Sequence, residues 1–125
     1  MLESELQRLI MKAVTEAGGR LFRNQVGMGW YGRLVSEFRD GIYGHEVTLG
    51  NARPLHAGLC EGSSDLIGWY RGRFLAIEVK AAGRDTTAKK RKQLQGNFID
   101  QVNRDGGIGI IARSVDEVLD ALRLR

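Results

Sequence analysis

Residues 64–80 read SDLIGWYRGRFLAIEVK, and the reading of this stretch decides the fold. Ser64–Tyr70 is an apolar and aromatic run of strand length, Arg71-Gly72 a two-residue turn, and Arg73–Lys80 a second run rich in branched and aromatic side chains. Two such runs joined by two residues predict a β-hairpin. Side chains alternate along a strand, so Glu78 and Lys80 project from one face of AIEVK while Ile77 and Val79 face the other way. A charged pair on so apolar a strand is either a solvated ion pair at a sheet edge or a site, because a buried charge is costly unless it is paired or bound to metal. Asp65 lies about five residues before the turn and Glu78 about six after it, so an antiparallel hairpin brings the two carboxylates near each other.

Carboxylates held together repel and raise each other's pKa, and a divalent cation between them removes the repulsion. Hard oxygen ligands favour Mg²⁺ or Mn²⁺. An ion of this kind acidifies water and polarises a phosphate oxygen, and Lys80 beside it can orient the water or stabilise charge developing on the phosphate. The set suits phosphodiester hydrolysis. Ser63 and Ser64 are placed to shape the turn before Asp65, and Gly62 to let the backbone approach closely.

Downstream, residues 81–87 read as a polar loop and 88–105 as a helix, with Leu94, Phe98 and Val102 on one face. Arg84, Lys89, Lys90, Arg91 and Lys92 crowd its start; such a run is either a solvated face or, beside a metal site, a grip on DNA phosphates. Asp105-Gly106-Gly107 ends the helix, Ile108–Ala112 reads as a buried strand, and Ser114–Leu124 as a last helix. In that helix Ser114 and Glu117 have capping-box spacing, with Val115, Val118, Leu119 and Leu122 inward.

Upstream, residues 2–17 form an amphipathic helix pattern through Leu2, Leu6, Leu9, Ile10, Ala13, Val14 and Ala17, stopped by Gly18-Gly19. Residues 20–25 read as a short strand. Residues 26–58, glycine-rich and holding the only proline, Pro54, read as weak strands or a hairpin with long loops. Trp30, Tyr31 and Trp69 are expected in the core or an interface. The whole is an α/β chain with a central mixed β-sheet flanked by α-helices, one domain over residues 1–125.

The chain is mildly basic, with 19 Lys and Arg against 15 acids, which suits either a soluble surface or a polyanionic partner such as nucleic acid. Cys60 is the single cysteine, so an internal disulfide and a C-x-x-C zinc site are excluded, and a reducing compartment is expected. A Cys–His nucleophile finds no support, since His45 and His56 lie in the least regular stretch. No run approaches the roughly 20 apolar residues of a membrane helix, and MLESELQRL carries acids where a signal peptide would be basic. Residence in the cytoplasm, of a bacterium or a phage-infected cell, is the expectation.

In order and spacing the chain resembles the virus-type replication-repair nuclease (VRR-NUC) branch of the PD-(D/E)-x-K nuclease superfamily. The matching residues are Glu3, Leu6 and Gln7, then Arg23-Asn24, Gly62–Asp65 (GSSD), Glu78–Lys80 (EVK), Gln95 with Phe98, and Gly106–Val118. Ser64 stands where the superfamily often has proline. The resemblance implies a restriction-endonuclease-like core and catalytic roles for Asp65, Glu78, Lys80, Gln95 and Glu3. It implies Mg²⁺ or Mn²⁺ held by Asp65, Glu78, the Val79 carbonyl and Glu3, with Gln93 and Glu5 as alternatives to Gln95 and Glu3. Arg23 would reach the scissile phosphate or support Asp65. Similar stand-alone nucleases are homodimers that cut four-way (Holliday) junctions. A nuclease without branch preference and a non-catalytic DNA-binding module are the competing expectations.

Overall fold

The computed structural model describes residues 1–81, 83 and 85–124; Arg84 lies outside the described residues. The elements run α1 (Glu3–Glu16), β1 (Arg20–Arg23), β2 (Gly27–Gly41), β3 (Gly44–Ala57), β4 (Leu66–Tyr70), β5 (Arg73–Val79), α2 (Lys89–Arg104), β6 (Ile108–Ala112) and α3 (Val115–Arg123). They divide into two compact units, one of residues 1–25 and 59–125, the other of residues 26–58.

The larger unit is α/β, built on a four-stranded mixed sheet in the order β1-β4-β5-β6. β4 and β5 form the expected hairpin, with Leu66 opposite Ile77 and Tyr70 opposite Arg73. Arg71 and Gly72 both take positive φ, the mark of a two-residue type I′ turn. β1 joins β4 antiparallel, and β6 joins β5 parallel after the crossover through α2. On one face of the sheet Leu75, Ile77 and Val79 pack with Leu6, Ile10 and Val14 of α1 and Val118 and Leu122 of α3. On the other, Ala76 packs with Ile99 and Val102 of α2. The alternation along β5 therefore turns Glu78 and Lys80 towards the α2 layer, away from the larger core.

Helix ends follow their sequence signals. Gly19 N–H donates to Val14 O after Gly18 at φ +97°, and Gly107 N–H to Val102 O after Gly106 at φ +90°, the same backbone closure at α1 and α2. Ser114 Oγ accepts from Glu117 N–H, and the Glu117 carboxylate accepts from Arg113 N–H, one residue before the cap.

Several expectations need correction. The buried stripe of α2 is Gln95, Ile99 and Val102, with Leu94 and Phe98 only half-buried. β6 is an edge strand and leaves Ile111 exposed, so its uniform apolarity does not mean burial on both faces. Leu2, at the N-cap of α1, is also exposed. Trp30, Tyr31 and Trp69 are all exposed, which excludes the core and not an interface, and Trp69 is tilted against Phe22 at 5.6 Å between ring centroids.

Residues 26–58 contain no long loops. β2 and β3 pair along almost their whole length as an antiparallel ribbon interrupted by three irregularities, with a tight turn between Gly41 and Gly44. The bulges explain why strand alternation was hard to read there: each inserted residue resets the period of two.

Close backbone approach constrains the sheet at Gly68, where any Cβ would collide with the backbone oxygen of Arg20 on β1. Gly68→Ala should therefore lower the urea midpoint by an amount equivalent to roughly 3 kcal/mol, the upper part of the overpacking range, with a small change in m-value.

Candidate active site

The turn before β4 is built by a buried polar network. Gly62 takes φ +86°, and a Cβ there would come within 2.6 Å of the Leu94 side chain on α2, so only glycine lets the turn sit against that helix. Ser63 Oγ donates to Cys60 O at 2.7 Å. Asn24, 8% exposed, donates to Ser63 Oγ (2.7 Å) and Ser64 O (2.9 Å) and accepts from Leu59 N–H (3.0 Å). Its own N–H donates to Asp65 O at 2.8 Å. Asn24 thus fixes the turn that a proline would otherwise stiffen. Its sequence signal was the Arg-Asn pair, but its role was missed because hydrogen bonds 35–40 residues apart leave no local pattern.

That turn delivers Asp65 to the end of β4. The ladder places Leu66 opposite Ile77, so one step further Asp65 lies opposite Glu78, as the hairpin spacing predicts. Asp65 Oδ2 accepts from Val79 N–H at 2.9 Å. Glu78 is 2% exposed. Its Oε1 accepts from Gln95 Nε2 at 2.9 Å and lies 3.7 Å from Lys80 Nζ. Lys80, also buried, donates to Gln95 Oε1 (3.2 Å) and Thr87 Oγ1 (3.0 Å). Gln95 therefore bridges acid and base with the two ends of one amide, and Gln93 is exposed.

Glu78 Oε2 is buried without a hydrogen-bond partner. Burial first, and then the negative charge of Asp65, push the Glu78 carboxyl up to about 8, against the opposing pull of Lys80. Two acceptors thus meet with no donor between them, and only a proton or a cation relieves that contact. Among the described residues, no group of three or more His, Cys, Asp or Glu side chains forms. Glu3 and Glu5 stand exposed in the first turn of α1, with no hydrogen bond or ion pair joining them to the cluster. The backbone N–H of Val79 is committed to Asp65.

The segment entering α2 closes over Lys80. Asp85 accepts from Thr87 N–H at 2.9 Å and pairs with Lys92 at 3.4 Å. The Thr87 backbone and side chain hold the Asp85 carboxyl well below the usual carboxylate range, with Lys80 and Lys92 contributing. α2 begins at Ala88 without a side-chain cap, has no acid in its first turn, and carries Lys89, Lys90, Arg91 and Lys92 there, all exposed. Cations at a helix start oppose the macrodipole, so this end favours an anion. Arg23, the last residue of β1, is exposed; the side chain that supports the Asp65 turn is that of its neighbour Asn24.

Two predictions follow from the buried pair. An acid held at about 8 against an ordinary 4.5 binds more protons folded than unfolded between those values. The metal-free protein should therefore lose stability as pH rises from about 4.5 to about 8, read as a falling urea midpoint in EDTA, and Glu78→Gln should flatten that slope. Asn24→Ala removes a hydrogen-bond partner from Ser63, Ser64 and Leu59 and should cost about 2–3 kcal/mol, measured by the same unfolding titration.

Compared with known proteins, the chain matches no protein-family model and no curated protein sequence.

Proposed function

We propose that the chain is a Mg²⁺- or Mn²⁺-dependent endodeoxyribonuclease with a restriction-endonuclease-like core, hydrolysing phosphodiester bonds in branched DNA such as four-way junctions. The observation that carries this reading is the buried Glu78, one oxygen without a partner, set against Asp65 and flanked by Lys80 and Gln95. The residue types and their order are those of the nuclease pattern that the sequence resembles.

The donor set fits a hard divalent ion, because the unpartnered Glu78 oxygen and the facing Asp65 carboxylate are oxygen ligands in need of positive charge. Asp65, Glu78 and the Val79 carbonyl would hold it; Glu3 joins the set only through the resemblance. Such an ion, when bound, polarises phosphate oxygens and makes water a better nucleophile at neutral pH.

The chain's own residues do the rest. Lys80, held by Gln95 and Thr87, presents a fixed ammonium that stabilises negative charge building on the phosphate. Gln95 keeps the Glu78 carboxylate turned for ligation, in the manner of an outer partner that orients a ligand. Lys89, Lys90 and Arg91 grip phosphates of the same duplex, Lys92 does so while paired to Asp85, and Arg23 supplies a further cation. By composition Arg84 belongs with them.

The test is cleavage of labelled four-way junction, flap and linear duplex by the purified chain. Cutting should require Mg²⁺ or Mn²⁺, stop in EDTA, and be fastest on the junction. Equal rates on linear duplex would reduce the reading to a general nuclease, and DNA binding without cleavage in either metal would overturn it in favour of a binding module. Asp65→Ala, Glu78→Ala and Lys80→Ala should each lower the cleavage rate more than roughly 100-fold while DNA binding persists. Wild-type cutting by Glu78→Ala would refute the site.

A further inference from the structure

The sheet of the larger unit is covered unequally. On the face that carries Glu78, α2 lies over β5 and β6, with Ile99 and Val102 against Ala76 and the Ile99 carbonyl close upon Gly109. The β1–β4 half of that face stays open.

Cross-strand partners share a face. The ladder therefore sets Arg20, Trp69 and Phe74 in one row across β1, β4 and β5, and Phe22, Ile67 and Ala76 in the next. The row beyond holds Asp65 and Glu78. Phe22, Trp69 and Phe74 are exposed by 45%, 53% and 42%. Aromatic side chains bury roughly 150–250 Å² each when covered, so three open rings on one sheet face leave a large apolar area in water. The Phe22 and Trp69 rings lie 5.6 Å apart, and the Arg20 guanidinium sits 5.7 Å from the centre of the Phe22 ring. Phe74 also lines a cavity of about 470 Å³ with Phe98 and Val102 of α2, so a planar group on Phe74 meets apolar walls on a second side.

We propose that this aromatic platform binds unpaired DNA, its bases stacked on Trp69, Phe22 and Phe74 and its phosphates drawn by the surrounding arginines. The choice of DNA rests on the nuclease reading above. Charge selects a polyanion. Residues 17–25 and 66–77 hold Arg20, Arg23, Arg71 and Arg73 and no Asp or Glu. Of the 19 Lys and Arg in the chain these four leave 15, which equal the 15 acids, so the whole excess of +4 resides on these strands and their turn.

The open rings select unpaired bases. A base in a duplex is stacked between its neighbours and offers only its edge. A single strand presents ring faces that stack on Trp and Phe, and arginine planes stack beside them. Position ties the platform to the acids. Trp69 is four residues from Asp65, roughly 13 Å at about 3.3 Å per residue. A strand lying on the rings thus passes the Asp65–Glu78 row on the same face, which suits cutting where duplex gives way to single strand, as at an opened branch point.

The test is binding of labelled oligo(dT) to the full chain in EDTA, where the proposed cleavage stops, followed by anisotropy. Trp69→Ala should weaken binding about tenfold, and Trp69→Phe, which keeps a ring, should retain most of the affinity. Duplex of the same length, held through phosphates, should change less than about twofold in Trp69→Ala. A strand of equal length without bases should bind the wild type about tenfold more weakly than oligo(dT), and should not distinguish it from Trp69→Ala. In a Trp30→Phe chain Trp69 is the only tryptophan, and its emission should fall as oligo(dT) is added. Equal losses on single strand and duplex, an abasic strand that binds like oligo(dT), or Trp69 emission indifferent to oligo(dT) would each overturn the assignment. So would Trp69 emission that follows only the chain's own dilution, which gives the face to a second copy, and tighter binding of oligo(rU) would overturn the choice of DNA. Binding as expected without cleavage in Mg²⁺ or Mn²⁺ strikes the nuclease reading and keeps the platform; cleavage without these binding effects strikes the platform alone.

Discussion

A buried carboxylate with one oxygen bonded, the other without a donor and a second acid on the neighbouring strand is the constraint around which the larger unit is arranged. Glu78 satisfies Oε1 through Gln95 and leaves Oε2 buried without a donor, while Asp65 adds negative charge from the neighbouring strand. Removing such a group from water is unfavourable by itself. It persists because the same strand commits Leu75, Ile77 and Val79 to a core shared with two helices, so that β5 cannot rotate to release Glu78 without exposing them. The alternation of one strand thereby couples the apolar core on one face to a buried acid–base cluster on the other.

The supports of that pair come from distant parts of the chain. Asn24 stabilises the turn before Asp65, Gly62 lets that turn meet α2, and α2 returns Gln95 to both charged partners. Thr87 accepts from Lys80 and is itself held by the Asp85 carboxylate. Every polar end of Gln95 is used, so its side chain has a unique orientation. This is the rigidity that a site of fixed ligands needs, and it is obtained without a third acid among the described residues.

Local signals carried much of this architecture. The β4–β5 hairpin, the helix stops at Gly18-Gly19 and Gly106-Gly107, the Ser114 cap and the facing of Asp65 and Glu78 all follow from short-range chemistry and were legible in the residues. What was not legible depended on context. The position of β6 at the sheet edge, which exposes Ile111, and the rotation of α2 that buries Gln95 in place of Leu94 are set by neighbours far along the chain. The ribbon was obscured by its bulges, and the network of Asn24 by its span in sequence.

The mouth of the segment from Val26 to Gly58 is itself closed inside the larger unit, where Leu59 N–H meets the Asn24 side chain just beyond its two ends. Closure of this kind makes the intervening chain a module. The entropy of bridging two pinned points grows only logarithmically with the number of residues between them, so strand pairs can be lengthened, shortened or exchanged there without moving the Asp65 turn. A change in the length of this segment would therefore leave the architecture around the acids in place.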